Sequence, residues 1–220
     1  MENLEQDCKA CLPKAAGRPR ASDLETRQQQ LVEMAGRLFL KHGYGKVSLE
    51  TIAREAHVAV RTIYVKFGGK AGLFKHVIEA NRGKYYALHV MEDDPRPFKE
   101  VVRHFSAHFM DMITMPEALA VQRMVIAEAS ANPEVAEAFF DAGPRQTREM
   151  LARYFARPDV RSQLRPGIAM EALPVHMLNC IMGDQYSRYL FDPAPQNRQD
   201  MLRALDTRLD LFYHSVLARP

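Results

Sequence analysis

Cysteine is scarce in this 220-residue sequence, which contains three: Cys8, Cys11 and Cys180. Cys8 and Cys11 form a C-x-x-C pair, but no second Cys or His pair follows at the spacing of a zinc site. Because the pair lies in a polar N-terminal segment, we interpret it as incidental and expect neither a metal nor a cofactor. The low cysteine content is typical of a protein in a reducing cytoplasm.

Long hydrophobic runs are absent as well. No stretch of about 18 uninterrupted apolar residues occurs, so we expect no transmembrane helix. The N-terminus lacks the basic segment followed by an apolar one that marks a secretory signal. We therefore predict a cytoplasmic protein that does not contact a membrane.

Strand-like alternation of apolar and polar residues is also missing, and apolar residues recur at helical spacing instead. The sequence predicts an all-α fold whose first helix is opened by Ser22 and Glu25, a capping box, and ended by Gly43. The apolar face of this helix comprises Leu31, Met34, Ala35, Leu38 and Phe39. Further helices, separated or started by prolines, are predicted at 69–91, 95–114, 116–131, 134–142, 144–156, 168–190 and 196–217.

The net charge is only +3, but it is unevenly distributed. Residues 1–90 carry +6 and residues 91–220 carry −3. This asymmetry favours contact of the first part with a polyanion, although ordinary solvated surfaces vary by as much. Residues 1–21 are interpreted as a flexible tail with a basic end. There Arg18 and Arg20 could bind a phosphate or a minor groove, or the segment is a plain disordered leader.

Residues 48–67 have the pattern of a helix-turn-helix. Ser48 is the predicted N-cap of a short helix whose inward face comprises Ile52, Ala53 and Ala56. His57-Val58-Ala59 forms the predicted turn. A second short helix, 60–67, follows, and such a helix can enter the major groove of DNA.

The second helix of this pair carries side chains that suit DNA. Arginine can donate two hydrogen bonds to a guanine edge, hydroxyl groups suit phosphates, and a methyl group can pack on thymine. The predicted outward residues are Arg61, Thr62, Tyr64, Val65 and Lys66. Lys70, at the start of the next helix, faces a predicted phosphate. A nucleotide-binding P-loop is rejected there because the earlier glycine, the Ser/Thr after the lysine and a preceding strand are all missing.

The block from Gly43 to Phe74 resembles the DNA-binding domain of the TetR family of repressors. The resemblance rests on Phe39, Gly43, Ser48, Ile52-Ala53-Arg54-Glu55-Ala56, Val58, Thr62-Ile63-Tyr64, Phe67, Lys70 and Leu73. It implies that Ser48, Tyr64 and Lys70 hold phosphates. It also implies that Arg61, Thr62, Val65 and Lys66 are the base-reading candidates.

Four residues depart from the family pattern. His57 stands where the family usually has glycine, so a left-handed backbone there would cost modest strain. Ala59-Val60 replaces a more common Ser-Lys pair, and Gly68 replaces a common proline. These departures concern which bases are read.

The resemblance also implies a domain organisation. A helix-turn-helix domain at 22–68 would be followed by a connecting helix at 69–91 and an effector-binding and dimerisation domain at 92–220. Residues 104–141 resemble, less specifically, the AefR-like C-terminal domain of some regulators of multidrug efflux.

A methionine-rich apolar region could form the site for a small effector in the C-terminal part. The candidate contacts are Phe105, His108, Met112, Arg123, Met124 and Met177. Plain core packing is the alternative for the methionines and for His108. Arg123 could pair with Glu128 or anchor an anionic effector.

The last two predicted helices have broad apolar faces, and the resemblance implies that such a pair builds a homodimer contact. We therefore predict a dimer that represses transcription from a near-palindromic double-stranded DNA operator and is released by a largely apolar effector, with an efflux or detoxification gene as a candidate target. The alternatives are an activator or a DNA-binding dimer that senses nothing. A small all-α enzyme is a remote alternative, because no catalytic arrangement of residues emerges.

Overall fold

The computed structural model describes residues 21–86, 91–191 and 197–218, and within them the fold is all-α as predicted. The pairing of Leu164 with Leu217 is an isolated bridge, and no strand forms in these ranges. The helices are α1 Ala21–His42, α2 Leu49–Glu55, α3 Val60–Phe67, α4 Lys70–Tyr86, α5 Phe98–Ile113, α6 Pro116–Glu128, α7 Pro133–Phe140, α8 Gln146–Ala156, α9 Pro158–Arg161, α10 Leu173–Met182, α11 Gln185–Phe191 and α12 Arg198–Val216.

The first of two buried clusters, called the N-terminal core here, is built on helices α1–α4. The apolar spacing of α1 accounts for its share, since Leu31, Ala35 and Phe39 are all buried. The rings of Phe39, Tyr44 and Phe74 meet at its centre with centroids 5.4–5.6 Å apart. The cluster also takes in residues from α6, α7 and the segment after α7: Val121, Val125, Val135, Ala138 and Ala142. The N-terminal core is therefore completed by residues that lie far along the chain.

The second cluster, the C-terminal core, lies among α5, α8, α10 and α12. Its buried aromatic residues include Phe98, Phe105, Tyr154, Phe155 and Phe212. Each contributing helix shows one apolar face at helical spacing, and these faces converge on a common interior.

Two predicted helix boundaries were wrong. The predicted helix at 168–190 is two helices, α10 and α11, separated at Gly183, whose backbone is left-handed in φ (+52°). The predicted break before residue 144 does not occur, because α7 continues into α8 through a π-helical segment, Asp141–Arg145. Pro144 lies inside this segment, since the widened turn accommodates a residue that has no N–H to donate.

The apolar faces of α10 and α12 are covered by the chain itself. Residues of these faces, such as Met177, Ile181, Leu205 and Leu209, are at most 1% exposed. A dimer contact through these helices would therefore use their outer sides.

Among the described helices, none has the length and apolar character to cross a bilayer. Arg18, Arg20, Cys8 and Cys11 lie outside the described residues.

Candidate DNA-binding surface

Helices α2 and α3 form the predicted helix-turn-helix. The Ser48 hydroxyl accepts a hydrogen bond from the Thr51 backbone N–H at 3.1 Å, so Ser48 is the N-cap of α2 as expected. His57 in the turn has φ +53°, the left-handed conformation considered for it. The Val58 N–H donates to the Ala53 carbonyl at 2.9 Å, and the Val58 side chain packs against the N-terminal core. These bonds fix the angle at which α3 leaves α2.

Helix α3 divides into a buried and an exposed face. Ile63 is fully buried and Phe67 nearly so, which anchors the helix to the N-terminal core. On the other side Tyr64 is 55% exposed and Val65 74% exposed, although both are large and apolar. Two neighbouring large side chains are thus left in water on one face of an anchored helix, where they are free to contact a partner.

The other predicted contacts of α3 occupy its accessible side. Arg61 and Lys66 are exposed and Thr62 is half-buried. The Lys66 ammonium donates to the Gln28 side-chain oxygen on α1 at 3.2 Å. Lys66 is therefore held beside α1 at one margin of the exposed face.

The junction between α3 and α4 depends on glycine. Gly68 ends α3 with φ +74°, and its N–H donates to the Tyr64 carbonyl at 2.9 Å. Gly72 lies so close to the end of α3 that a Cβ there would be 1.7 Å from the Phe67 carbonyl oxygen. The first turn of α4 thus packs directly on the α3 backbone, and this places Lys70 next to the helix-turn-helix.

Lys70 is more enclosed than the sequence suggested. Its ammonium lies 4.3 Å from the centroid of the Tyr44 ring and donates to the Gly45 carbonyl at 3.4 Å. Burial lowers the pKa of the Lys70 amine, and the negative charges of Glu128 and Glu134 oppose that change. Sequence reasoning missed these carboxylates, because no local pattern links α6 and α7 to residues so far back in the chain.

The predicted effector residues do not surround one space. Phe105 and Met177 are buried in the C-terminal core, and Met112 packs against it. Met124 packs against the N-terminal core. His108 is exposed on α5, where its ring stacks on that of His104 with centroids 4.2 Å apart.

Arg123 has a different partner from either of those considered. Its guanidinium donates to the carbonyl oxygens of Leu190 at 2.8 Å and Tyr189 at 2.7 Å. These carbonyls lie in the last turn of α11, where a positive charge is favourable. Arg123 therefore ties α6 to the end of α11.

Two open depressions lie on the C-terminal part, and neither contains a predicted effector contact. One is lined by Arg165–Ile168 with Ala218. The other lies between the loop 95–98 and the residues around Tyr154 and Arg157. An effector site stays a prediction.

Solved structures share this fold. One is a TetR-family regulator, described as putative, from Mesorhizobium loti MAFF303099, with a TM-score of 0.72 and 17% identity over 88% of this chain and 98% of that one. Another is described as the flavonoid-responsive regulator FrrA, with a TM-score of 0.71 and 20% identity over 89% of this chain and all of that one.

A curated relative matches at the sequence level. The HTH-type transcriptional repressor ComR of Escherichia coli (strain K12) is 29% identical over 86 residues. The match spans 39% of this chain and 39% of ComR.

Two family models cover most of the described chain. Residues 31–77 match the model for bacterial regulatory proteins of the tetR family. The matched residues include α2, α3 and the start of α4. Residues 100–214 match the model for the C-terminal domain of AefR-like transcriptional repressors. Proteins of this kind are DNA-binding transcriptional regulators, which excludes the enzyme considered above. The two matches together show that the chain belongs to the TetR family of transcriptional regulators.

Proposed function

We propose that this protein is a dimeric repressor that reads a near-palindromic operator with α3 and releases it when a small effector binds. The observation that carries the proposal is the accessible face of α3, with Tyr64 and Val65 in solvent while Ile63 and Phe67 anchor the helix. The match to the AefR-like repressor model and the likeness to the repressor ComR support repression. The proposed location of the protein is the cytoplasm, because that compartment holds the DNA.

The proposed contacts are divided by chemistry. Arg61, Thr62, Val65 and Lys66 would read base edges, because they occupy the accessible side of α3. Ser48, Tyr64 and Lys70 would hold phosphates on either side of it. In the proposed domain organisation, α4 connects this unit to the effector-binding and dimerisation domain that follows residue 91.

The base-reading role is tested with Arg61→Ala. The measurement is fluorescence anisotropy with a labelled duplex from the promoter next to the gene and with a scrambled duplex. Loss of a bidentate base contact costs about 1–3 kcal/mol, so operator affinity should fall about 5- to 150-fold and binding to the scrambled duplex much less. Arg148→Ala is the matched control, because Arg148 is exposed on α8. Equal operator affinity for wild type and Arg61→Ala contradicts the assignment, and a wild type that binds no DNA at low salt contradicts the function.

The proposed dimer uses the outer sides of α10 and α12. Val175 is 42% exposed on α10, and Leu211 is 68% exposed on α12. A two-fold dimer would hold two copies of α3 about 34–36 Å apart, one turn of DNA.

Leu211→Arg should yield monomers in analytical ultracentrifugation. Ile126→Arg, at an equally exposed apolar position on α6, should leave the dimer intact. A Leu211→Arg variant that stays dimeric contradicts this interface.

The proposed effector is small and largely apolar. FrrA, which has this fold, is described as flavonoid-responsive, so planar aromatic compounds are a rational first set of probes. A compound that raises the thermal midpoint and lowers operator affinity in the same concentration range supports sensing.

Control of an efflux or detoxification gene is a further proposal, tested by transcript levels in a deletion strain. Increased expression of the neighbouring gene in that strain indicates a repressor, and decreased expression indicates an activator.

A further inference from the structure

The α6–α7 hairpin contacts the DNA-binding unit at the turn between α1 and α2. The Glu128 carboxylate, at the end of α6, lies against the backbone of this turn. A Cβ on Gly43 would be 3.0 Å from Glu128 Oε1, and a Cβ on Gly45 would be 2.9 Å from Glu128 Oε2. Glycine at these positions therefore allows the carboxylate to approach the backbone. The Asn132 side-chain amide donates to Glu128 Oε2 at 2.8 Å and fixes its orientation.

The residue between the two glycines extends this contact towards the DNA-binding surface. Tyr44 is 1% exposed and belongs to the same buried cluster as Val125 on α6 and Val135 on α7. Burial raises the pKa of Tyr44, and the charges of Glu134 and Glu128 raise it further, so the hydroxyl stays protonated. The Lys70 ammonium rests on the same tyrosine ring. One hairpin of the C-terminal half thus touches both the turn that leads to Ser48 and the side chain that supports Lys70.

We infer that Glu128 is a positioning residue for DNA binding: by holding the Gly43–Gly45 turn, it sets where Ser48 and Lys70 meet the phosphates. The inference rests on the proposed function, because it concerns the same DNA-binding surface. If Glu128 has this role, the α6–α7 hairpin connects the C-terminal half of the chain to the phosphate contacts.

The sign of the effect distinguishes positioning from simple charge. A carboxylate near a DNA-binding surface repels phosphates, so its removal should strengthen binding if charge alone matters. If Glu128 positions the turn, its removal weakens binding to the operator, where register matters. Binding to unrelated DNA, which depends mainly on charge, is unchanged or becomes tighter.

The experiment compares the affinities of the full-length protein for the operator duplex and a scrambled duplex. Glu128→Ala should lower operator affinity about tenfold, the scale of a lost hydrogen-bonded charge, without weakening binding to scrambled DNA. Glu128→Gln keeps the shape and an oxygen that accepts from Asn132, so it should recover most of that loss. Glu117→Ala, at the opposite end of α6, is the matched control and should bind like the wild type.

A second variant covers the case in which Glu128→Ala does not fold, as judged by circular dichroism. Gly45→Ala puts a methyl group 2.9 Å from Glu128 Oε2, so the carboxylate has to turn away from the Gly43–Gly45 turn, and operator affinity should fall in the same direction as in Glu128→Ala. In the double variant the two losses should not add, because both act on one contact. Operator binding by folded Glu128→Ala at wild-type strength or tighter overturns the inference, as does unchanged binding by Gly45→Ala. A wild type that fails to bind the operator overturns the proposed function instead.

Discussion

Gly72 offers the sharpest test of how α4 is joined to the helix-turn-helix. An alanine methyl at this position would be 1.7 Å from the Phe67 carbonyl oxygen and 2.9 Å from its carbon, both backbone atoms. A flexible side chain could turn away, but backbone cannot, so the first turn of α4 must move away from α3. Overpacking of this kind costs about 3 kcal/mol. In a chain of this size each kcal/mol lowers the thermal midpoint by about 2–4 °C, so Gly72→Ala should melt about 6–12 °C below wild type.

The same helix provides the control. Gly83 lies in α4 with nothing within 4 Å of a built Cβ. Alanine there should gain about 0.5–1 kcal/mol from helix propensity and raise the midpoint by about 1–4 °C. Circular dichroism at 222 nm follows both melts. If Gly72→Ala melts with the wild type, the close approach of α4 to α3 is wrong, whatever Gly83→Ala does.

Three further predictions follow from single contacts. Ser48→Ala should lose about 1 kcal/mol of stability in denaturant titrations, because the N-cap of α2 is lost, while Ser48→Asp should retain most of it. Gly183→Ala should lose about 1–3 kcal/mol in the same titrations, because a φ of +52° strains alanine and its Cβ would be 3.0 Å from Arg208. Burial raises the pKa of Tyr154 to about 12 in the folded chain. Its neutral form is favoured by folding, so this contribution is complete below pH 10, the unfolded value, and is lost as pH rises from about 10 to 12. Tyr154→Phe should therefore show a shallower decline of stability over that alkaline window.

The sequence predicted the framework of the helix-turn-helix correctly because its signals are local. A serine directly before the first apolar residue of α2 defines its N-cap, and the spacing of Ile63 and Phe67 defines the inner face of α3. The left-handed backbone at His57 could be considered because His57 stands where the family that the sequence resembles usually has glycine. The resemblance to a known family then placed the candidate contacts on this framework.

The long-range parts could not be predicted in this way. Helical periodicity shows that one side of α10 and one side of α12 are apolar, but it cannot say whether a second chain or α5 and α8 cover them. Pro144 predicted a helix break, since a proline normally ends a regular helix. The π-helical turn found there instead could be predicted only from the packing around it. Arg123 pairs with backbone carbonyls of α11, and such partners leave no pattern in the sequence.

The N-terminal core has a consequence for how this protein can be divided and recombined. Val121, Val125, Val135, Ala138 and Ala142 belong to it although they lie beyond the connecting helix. A fragment ending near residue 91 would leave the apolar surface of α1 and α4 bare to water. A chimera that joins this helix-turn-helix to the sensor of another regulator would have to carry α6 and α7 along with α1–α4. The unit that can be exchanged between such regulators is therefore discontinuous in the chain.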